Sequence, residues 1–167
     1  MGGNLEVQSE PGAGSVFYFT LTFAYGSDEI EVPYEEEVKC DYDFDGKRIL
    51  LAEDNELNQE IASTILEMNG FIIEAVGDGQ QALDMYINHP PYYYDAVLMD
   101  IRMPVMDGLE ATKGIRTSGR EDARTIPIIA MTANAFSEDT KKSMASGMNG
   151  HLSKPIETEV LFDTLQK

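Results

Sequence analysis

Between Arg48 and Lys167 the sequence repeats one pattern five times. A short apolar run stops at a polar residue, and a stretch with apolar residues at helical spacing follows. Arg48-Ile49-Leu50-Leu51-Ala52 ends at Glu53-Asp54, and Ile61, Ile65, Leu66 and Met68 mark a helix that Asn69-Gly70 closes. Phe71 to Val76 is the second run; Ala82, Leu83, Tyr86 and Ile87 mark a helix that stops ahead of Pro90-Pro91, because the residue before a proline leaves the helical region. Tyr94 to Met99 ends at Asp100, with Leu109, Ala111, Thr112 and Ile115 in its helix. Ile126 to Met131 ends at Thr132, and a weaker stripe of Thr140, Met144 and Ala145 predicts a helix over 138–146. Gly150 to Ser153 is a short fifth run before Lys154-Pro155, and Val160, Leu161 and Leu165 make the last helix.

Strands that alternate with helices predict an α/β fold, a doubly wound five-stranded parallel sheet covered on both faces. Right-handed crossovers then bring the strand ends that precede each helix to one edge of the sheet. In the flavodoxin-like order 2-1-3-4-5 the first and third strands are neighbours, and ligands bind outside such carboxyl ends. Glu53, Asp54 and Asp100 would therefore meet in one shallow pocket, with Thr132 and Lys154 at its rim. Three close carboxylates repel one another unless a cation compensates. Hard oxygen donors on loops suit Mg²⁺. With an ammonium and a hydroxyl added, the set describes a phosphoryl-binding site in which Asp100 is placed as a nucleophile. Taken singly the residues say less: Asp54, Asn55 and Asp107 are also good helix caps. The arrangement of one group per successive strand end is what carries the inference. It requires Asp100 and Asp54 to lie within reach of a shared ion.

The remainder of the chain differs in charge. Residues 1–45 hold eleven acids and one base, Lys39, out of a net charge of −18 for all 167 residues. That acidity argues against binding a nucleic-acid backbone. A single cysteine, Cys40, excludes a disulfide framework and fits a reducing compartment, and no apolar stretch is long enough to span a membrane. A cytoplasmic location and no membrane contact by this part are expected. Leu5 and Val7 alternate with polar neighbours, Glu10-Pro11-Gly12-Ala13-Gly14 supplies turn residues, and Val16 to Phe23 is rich in β-branched and aromatic side chains: a β-hairpin signal. A hairpin alone is marginal in water, so this one reads as the edge of a larger domain. The stretch 26–45 is acidic, holds Pro33 and lacks a helical period, and is expected to be a solvated linker; docking of its Tyr34, Tyr42 and Phe44 on the neighbouring domain is the alternative.

Glu53-Asp54-Asn55, Leu98 to Gly108 (LMDIRMPVMDG), Met131-Thr132-Ala133 and Ser153-Lys154-Pro155 resemble the receiver domain of two-component response regulators, over residues 46–167. The resemblance implies that Asp100 accepts a phosphoryl group from phosphohistidine. It implies Asp54 as a direct Mg²⁺ ligand, Glu53 as a ligand through water, and the backbone carbonyl of Arg102 as the third protein ligand. Thr132 and Lys154 would hold phosphoryl oxygens, and the Lys154-Pro155 bond is expected to be cis, a state that proline makes accessible. The Glu-Asp-Asn form at 53–55, with Asn58 after it, looks like receivers fused to sensor kinases. Residues 1–25 resemble the C-terminal hairpin of histidine-kinase ATPase domains. The chain thus resembles part of a hybrid sensor histidine kinase, its parent anchored to a membrane or not, with a histidine-kinase or histidine-phosphotransfer domain as phosphodonor and acceptor. An unpaired strand edge invites pairing, which would allow a homodimer through residues 4–23.

Two features bear on mechanism. Three residues before Lys154, many receivers carry an aromatic ring that turns inward when the switch threonine moves; here the position holds His151, which makes Thr132 and His151 the expected switch pair and predicts altered coupling. Arg102 and Asn134, each two residues past a motif residue, are expected to overhang the phosphoryl site. The competing hypothesis is a Mg²⁺-dependent phosphatase or phosphotransferase with an aspartyl nucleophile. Its chemistry commonly uses a second acid two residues on, where this chain has Arg102. His89 and His151 lie outside any phosphoacceptor helix, and no P-loop or third glycine of a dinucleotide fingerprint is present, so this chain is expected not to bind ATP or phosphorylate itself.

Overall fold

The computed structural model describes residues 3–10, 12, 14–21, 44–133 and 138–166. The chain divides into two compact units, Met1–Cys40 and Asp41–Lys167. In the first, β1 (Gly3–Glu10) pairs antiparallel with β2 (Gly14–Leu21), from Gly3 opposite Leu21 to Glu10 opposite Gly14. The expected hairpin is present. Tyr18 donates a hydrogen bond to Glu6 across it (2.9 Å), and Val16, Phe17 and Phe19 are exposed. Pro11 and Ala13 of the expected turn, and Lys39, Cys40, Tyr34 and Tyr42 of the expected linker, lie outside the described residues.

The second unit has five parallel strands, β3 (Arg48–Ala52), β4 (Ile72–Val76), β5 (Ala96–Asp100), β6 (Ile128–Thr132) and β7 (Gly150–Ser153), in the order β4-β3-β5-β6-β7. Counted within the unit this is the expected 2-1-3-4-5. The helices are α1 (Glu56–Glu67), α2 (Gly79–Asn88), α3 (Gly108–Thr117), α4 (Glu138–Ser146) and α5 (Thr158–Leu165). Alternate strand residues feed two cores. Leu50, Ala52, Val97, Met99, Ile128 and Ala130 pack with Tyr86 of α2 and Ile115 of α3; Ile49, Leu51, Leu98, Ile129, Met131 and Leu152 pack with Leu66 of α1 and Leu161 and Phe162 of α5. Burial on both faces is why the central strands β3, β5 and β6 read as unbroken apolar runs rather than alternating ones.

The helices correct several expectations. In α1 the buried residues are Ala62 and Leu66, whereas Ile61 is half exposed and Met68, the C-cap, is exposed. In α2, Ile87 faces solvent. In α4 the inward residues are Ser143 and Ser146, their hydroxyls bonded to Thr140 and Ser143 carbonyls, and Met144 is exposed. In α5, Phe162 is buried and Val160 half exposed. Asn69-Gly70 does close α1, with Gly70 at φ 90°. Phe44, expected in a solvated tether, is buried: its ring stacks on Phe71 at 4.5 Å and meets Phe162 at 5.6 Å. The compact unit thus begins inside the expected linker, because burying an aromatic ring offsets the cost of ordering a few residues around it.

Candidate functional site

The parallel strands end at the same edge, and four of them, β3, β5, β6 and β7, deliver the polar groups of the site. Glu53 follows β3 and is 2% exposed; Asp54 beside it is exposed. Asp100 closes β5 and is 7% exposed, and Thr132 closes β6 at 3%. Lys154 follows β7, with its backbone N–H on the Thr132 carbonyl (2.8 Å) and its bond to Pro155 cis, as expected.

These ends converge. Oxygens of Glu53, Asp54 and Asp100 all lie within 4.8 Å of one another, inside the reach of one shared ion. The Lys154 ammonium donates to Glu53 Oε2 and to Asp100 Oδ2. Asp100 Oδ1 accepts the backbone N–H of Arg102 (3.0 Å), which folds the start of the next loop back onto the carboxylate. Burial alone would pull the Lys154 pKa down; its hydrogen bonds to Asp100 and Glu53, and their charges, outweigh burial and raise it above the ordinary value. The ammonium is therefore a fixed positive charge at neutral pH.

The loop from Asp100 to α3 is held by sterics as well as hydrogen bonds. Met106 N–H reaches back two residues to Pro104 O (2.7 Å), which makes Val105 the centre of a γ-turn at φ 65°, a strained place for a β-branched residue. The Met106 carbonyl accepts the N–H of Gly79 at the start of α2 (3.1 Å), and a Cβ on Gly79 would sit 2.5 Å from that oxygen. Gly108 N–H closes the loop on Ile101 O (3.0 Å), and a Cβ there would sit 2.1 Å from the Asp100 carbonyl. Asp107 caps α3 through the N–H of Glu110 (2.8 Å), and Asn55 caps α1 through the N–H of Asn58 (3.0 Å).

Every expected site residue that is described lies at this edge except the outer partner of the switch. His151 sits exposed on β7, in register with Ala130 of β6. Arg102 is exposed beside the site, and Asn134 lies outside the described residues. The sequence marked Asn58 only as part of the resemblance and gave neither it nor Gln59 a role beside Glu53. Asn58 Nδ2 donates to Glu53 Oε1 (3.0 Å), and Gln59 Nε2 donates to the carbonyls of Glu53 (3.3 Å) and Val76 (3.0 Å). The available signal was the position of two amides in the first turn of the helix that follows the acids.

The family model described as response regulator receiver domain matches residues 49–166. "Hybrid signal transduction histidine kinase I" of Dictyostelium discoideum is 41% identical over 121 residues, covering 71% of this chain and 7% of that protein. The aerobic respiration control sensor protein ArcB of Escherichia coli is 34% identical over 168 residues, covering 100% of this chain and 20% of that protein. The chain spans 7–20% of the length of these curated relatives. Among solved structures, the receiver domain of sensor histidine kinase PA1611 from Pseudomonas aeruginosa, with a magnesium ion coordinated in its active site cleft, is 42% identical with a TM-score of 0.65 over 72% of this chain and 95% of that one. Chemotaxis protein CheY4 of Vibrio cholerae is 29% identical with a TM-score of 0.66, over 72% and 97%.

Proposed function

The chain belongs to the response regulator receiver domain family through residues 49–166, and from that premise we propose that it is the phosphoryl-accepting module of a hybrid sensor histidine kinase, with Asp100 as the acceptor. The convergence of Glu53, Asp54, Asp100 and Lys154 at one sheet edge carries this reading. An Asp100 carboxylate oxygen attacks the phosphorus of a phosphohistidine. The P–O bond forms as the P–N bond breaks, and the imidazole leaves with that bond's electron pair. Lys154 offsets charge on the phosphoryl oxygens, and Thr132 offers them a hydroxyl. The clustered hard oxygens fit Mg²⁺: Asp54, Asp100 and the Arg102 carbonyl would hold it directly and Glu53 through water, and it would supply positive charge against the negative charge developing in the transfer. The magnesium in the related Pseudomonas receiver supports this assignment.

On the same reading Thr132 shifts toward the phosphoryl group and His151 reports the shift along β7. Residues 1–25 are the C-terminal hairpin of a histidine-kinase ATPase domain, the acidic stretch from residue 26 to the start of the compact unit is a linker, and both lie with the receiver in the cytoplasm. A histidine-kinase or histidine-phosphotransfer domain is the phosphodonor and acceptor. The ArcB alignment, which runs through the hairpin, supports that context. Among the described residues no helix is long and apolar enough to cross a membrane.

The test is incubation with Mg²⁺ and acetyl phosphate. Stoichiometric labelling that Asp100→Asn abolishes is expected. Labelling that survives in Asp100→Asn, or many turnovers of a simple phosphate ester, would overturn the assignment.

A further inference from the structure

We propose that Asn58 is a positioning residue for the phosphoryl site, acting through Glu53. The proposal rests on the Mg²⁺ reading above. Glu53 is a nearly fully buried carboxylate, and such a group must have each oxygen satisfied. Its Oε2 is taken by Lys154 and its Oε1 by the Asn58 amide at 3.0 Å. Its backbone is tied down separately, the N–H on Val76 O (3.0 Å) and the carbonyl by Gln59 Nε2 (3.3 Å). The two side-chain partners come from different elements: Lys154 from the end of β7, Asn58 from the first turn of α1. Asn58 is itself located by the cap, its N–H held on Asn55 Oδ1 (3.0 Å).

The terminal torsion of a glutamate is broad and roughly two-fold, so nothing intrinsic fixes which way the carboxylate faces. With Lys154 alone, the carboxylate plane can swing about that torsion while one oxygen stays on the ammonium. The Asn58 donor selects one orientation. It does so without adding charge, which a lysine or arginine would do at the cost of the negative potential that draws a cation. Glutamate is one methylene longer than aspartate, and that reach lets one carboxylate touch both the ammonium and the helix amide. Removing the amide leaves Oε1 beside a groove of about 120 Å³ lined by Glu53, Asn58, Ile61, Ala62 and Lys154, where water can satisfy it. Fold stability then changes little while orientation is lost. Partners that orient direct metal ligands commonly contribute about tenfold or more in metal affinity, and Asn58, acting on a carboxylate that reaches the ion through water, is set at the bottom of that range.

The experiment uses the full chain. Mg²⁺ dissociation constants are measured by calorimetry for wild type, Asn58→Ala, Asn58→Leu, Glu53→Gln and Glu53→Gln/Asn58→Ala. In metal-free protein the Asn58 side-chain amide signals are followed by NMR. Asn58→Ala and the nearly isosteric Asn58→Leu should each weaken Mg²⁺ about tenfold at an unchanged melting temperature. Asn58→Ala should add no further loss once Glu53 is Gln. The Asn58 amide signals should shift when Glu53 is changed, with no metal present. Wild-type affinity in both Asn58 variants, or an equal loss in the Glu53→Gln background, would overturn the role of Asn58 and leave the Mg²⁺ site standing. Absence of Mg²⁺ binding by wild type would overturn both.

Discussion

Gly108 gives the sharpest test of how the acceptor is held. It is the first residue of α3, and a Cβ placed on it would sit 2.1 Å from the Asp100 carbonyl oxygen and 2.8 Å from Met99 Cγ. The methionine can rotate away. The carbonyl cannot, because it belongs to a fully buried central strand flanked by β3 and β6. Gly108→Ala must therefore push α3 off the strand end or tilt the peptide that carries the acceptor. Overpacking of this kind costs about 1–3 kcal/mol, and a backbone obstacle puts it near the upper end. Alanine's better helix propensity returns at most about 1 kcal/mol. The expected loss is about 2 kcal/mol, which for a unit of this size is a fall of roughly 8 °C in melting temperature. Gly119→Ala is the control: its φ is 78° but its Cβ position is open, so it should lose only the left-handed penalty of about 1–2 kcal/mol and leave labelling untouched. The readouts are far-UV circular dichroism melts of the full chain and the initial rate of labelling by acetyl phosphate. Gly108→Ala should lose both stability and rate. If it melts with wild type and labels at the same rate, the close contact between strand end and helix start is wrong.

Other expectations follow from single contacts. Burial alone would raise the pKa of Asp122, but hydrogen bonds from Arg120 and the Tyr92 N–H outweigh it and hold it down at about 2. Because the folded value lies below the unfolded one, the stabilisation of about 2 kcal/mol is present above pH near 4 and is lost as pH falls through about 2; acid melts of Asp122→Asn should lack that part of the pH dependence. Val105→Gly removes a β-branched residue from φ 65° at an exposed position, and should raise the urea midpoint by the equivalent of about 0.5 kcal/mol after the entropy cost of glycine. In His151→Ala, the phosphorylation-dependent chemical shifts along β6 and β7 should shrink; shifts as large as wild type would remove His151 from the switch.

The three central strands, β3, β5 and β6, were legible because they are buried on both faces and so are spelled as continuous apolar runs, and the polar stops were legible because parallel topology sends them all to one edge. The helix faces were less so. Apolar spacing in α1 pointed to Ile61 and Met68, but small Ala62 lets the helix approach the sheet and leaves the larger chains outside. In α4 two serines face inward because their hydroxyls are satisfied within the helix itself, and no hydropathy pattern marks them. Phe44 was hidden by its acidic surroundings. Asn58 and Gln59 act by reaching from a helix to a strand end, a relation fixed by the crossover and not by any period in the sequence.

The acidic edge also shows why neutral donors recur in it. Each of the two buried carboxylates has one oxygen on Lys154 and the other on an uncharged N–H, from Arg102 for Asp100 and from Asn58 for Glu53. With all three acids ionised, Lys154 leaves two negative charges in excess. Two unit charges 4.8 Å apart repel by about 3.5 kcal/mol at an effective dielectric near 20, so an incoming phosphoryl group would meet a repulsive edge. A second fixed lysine would cut the excess to one charge, relieving part of that repulsion permanently and weakening the attraction for a divalent ion. Amide donors fix the carboxylates in space and leave their charge intact. The excess would then match one divalent cation, and on the proposed reading phosphoryl transfer would wait on its arrival.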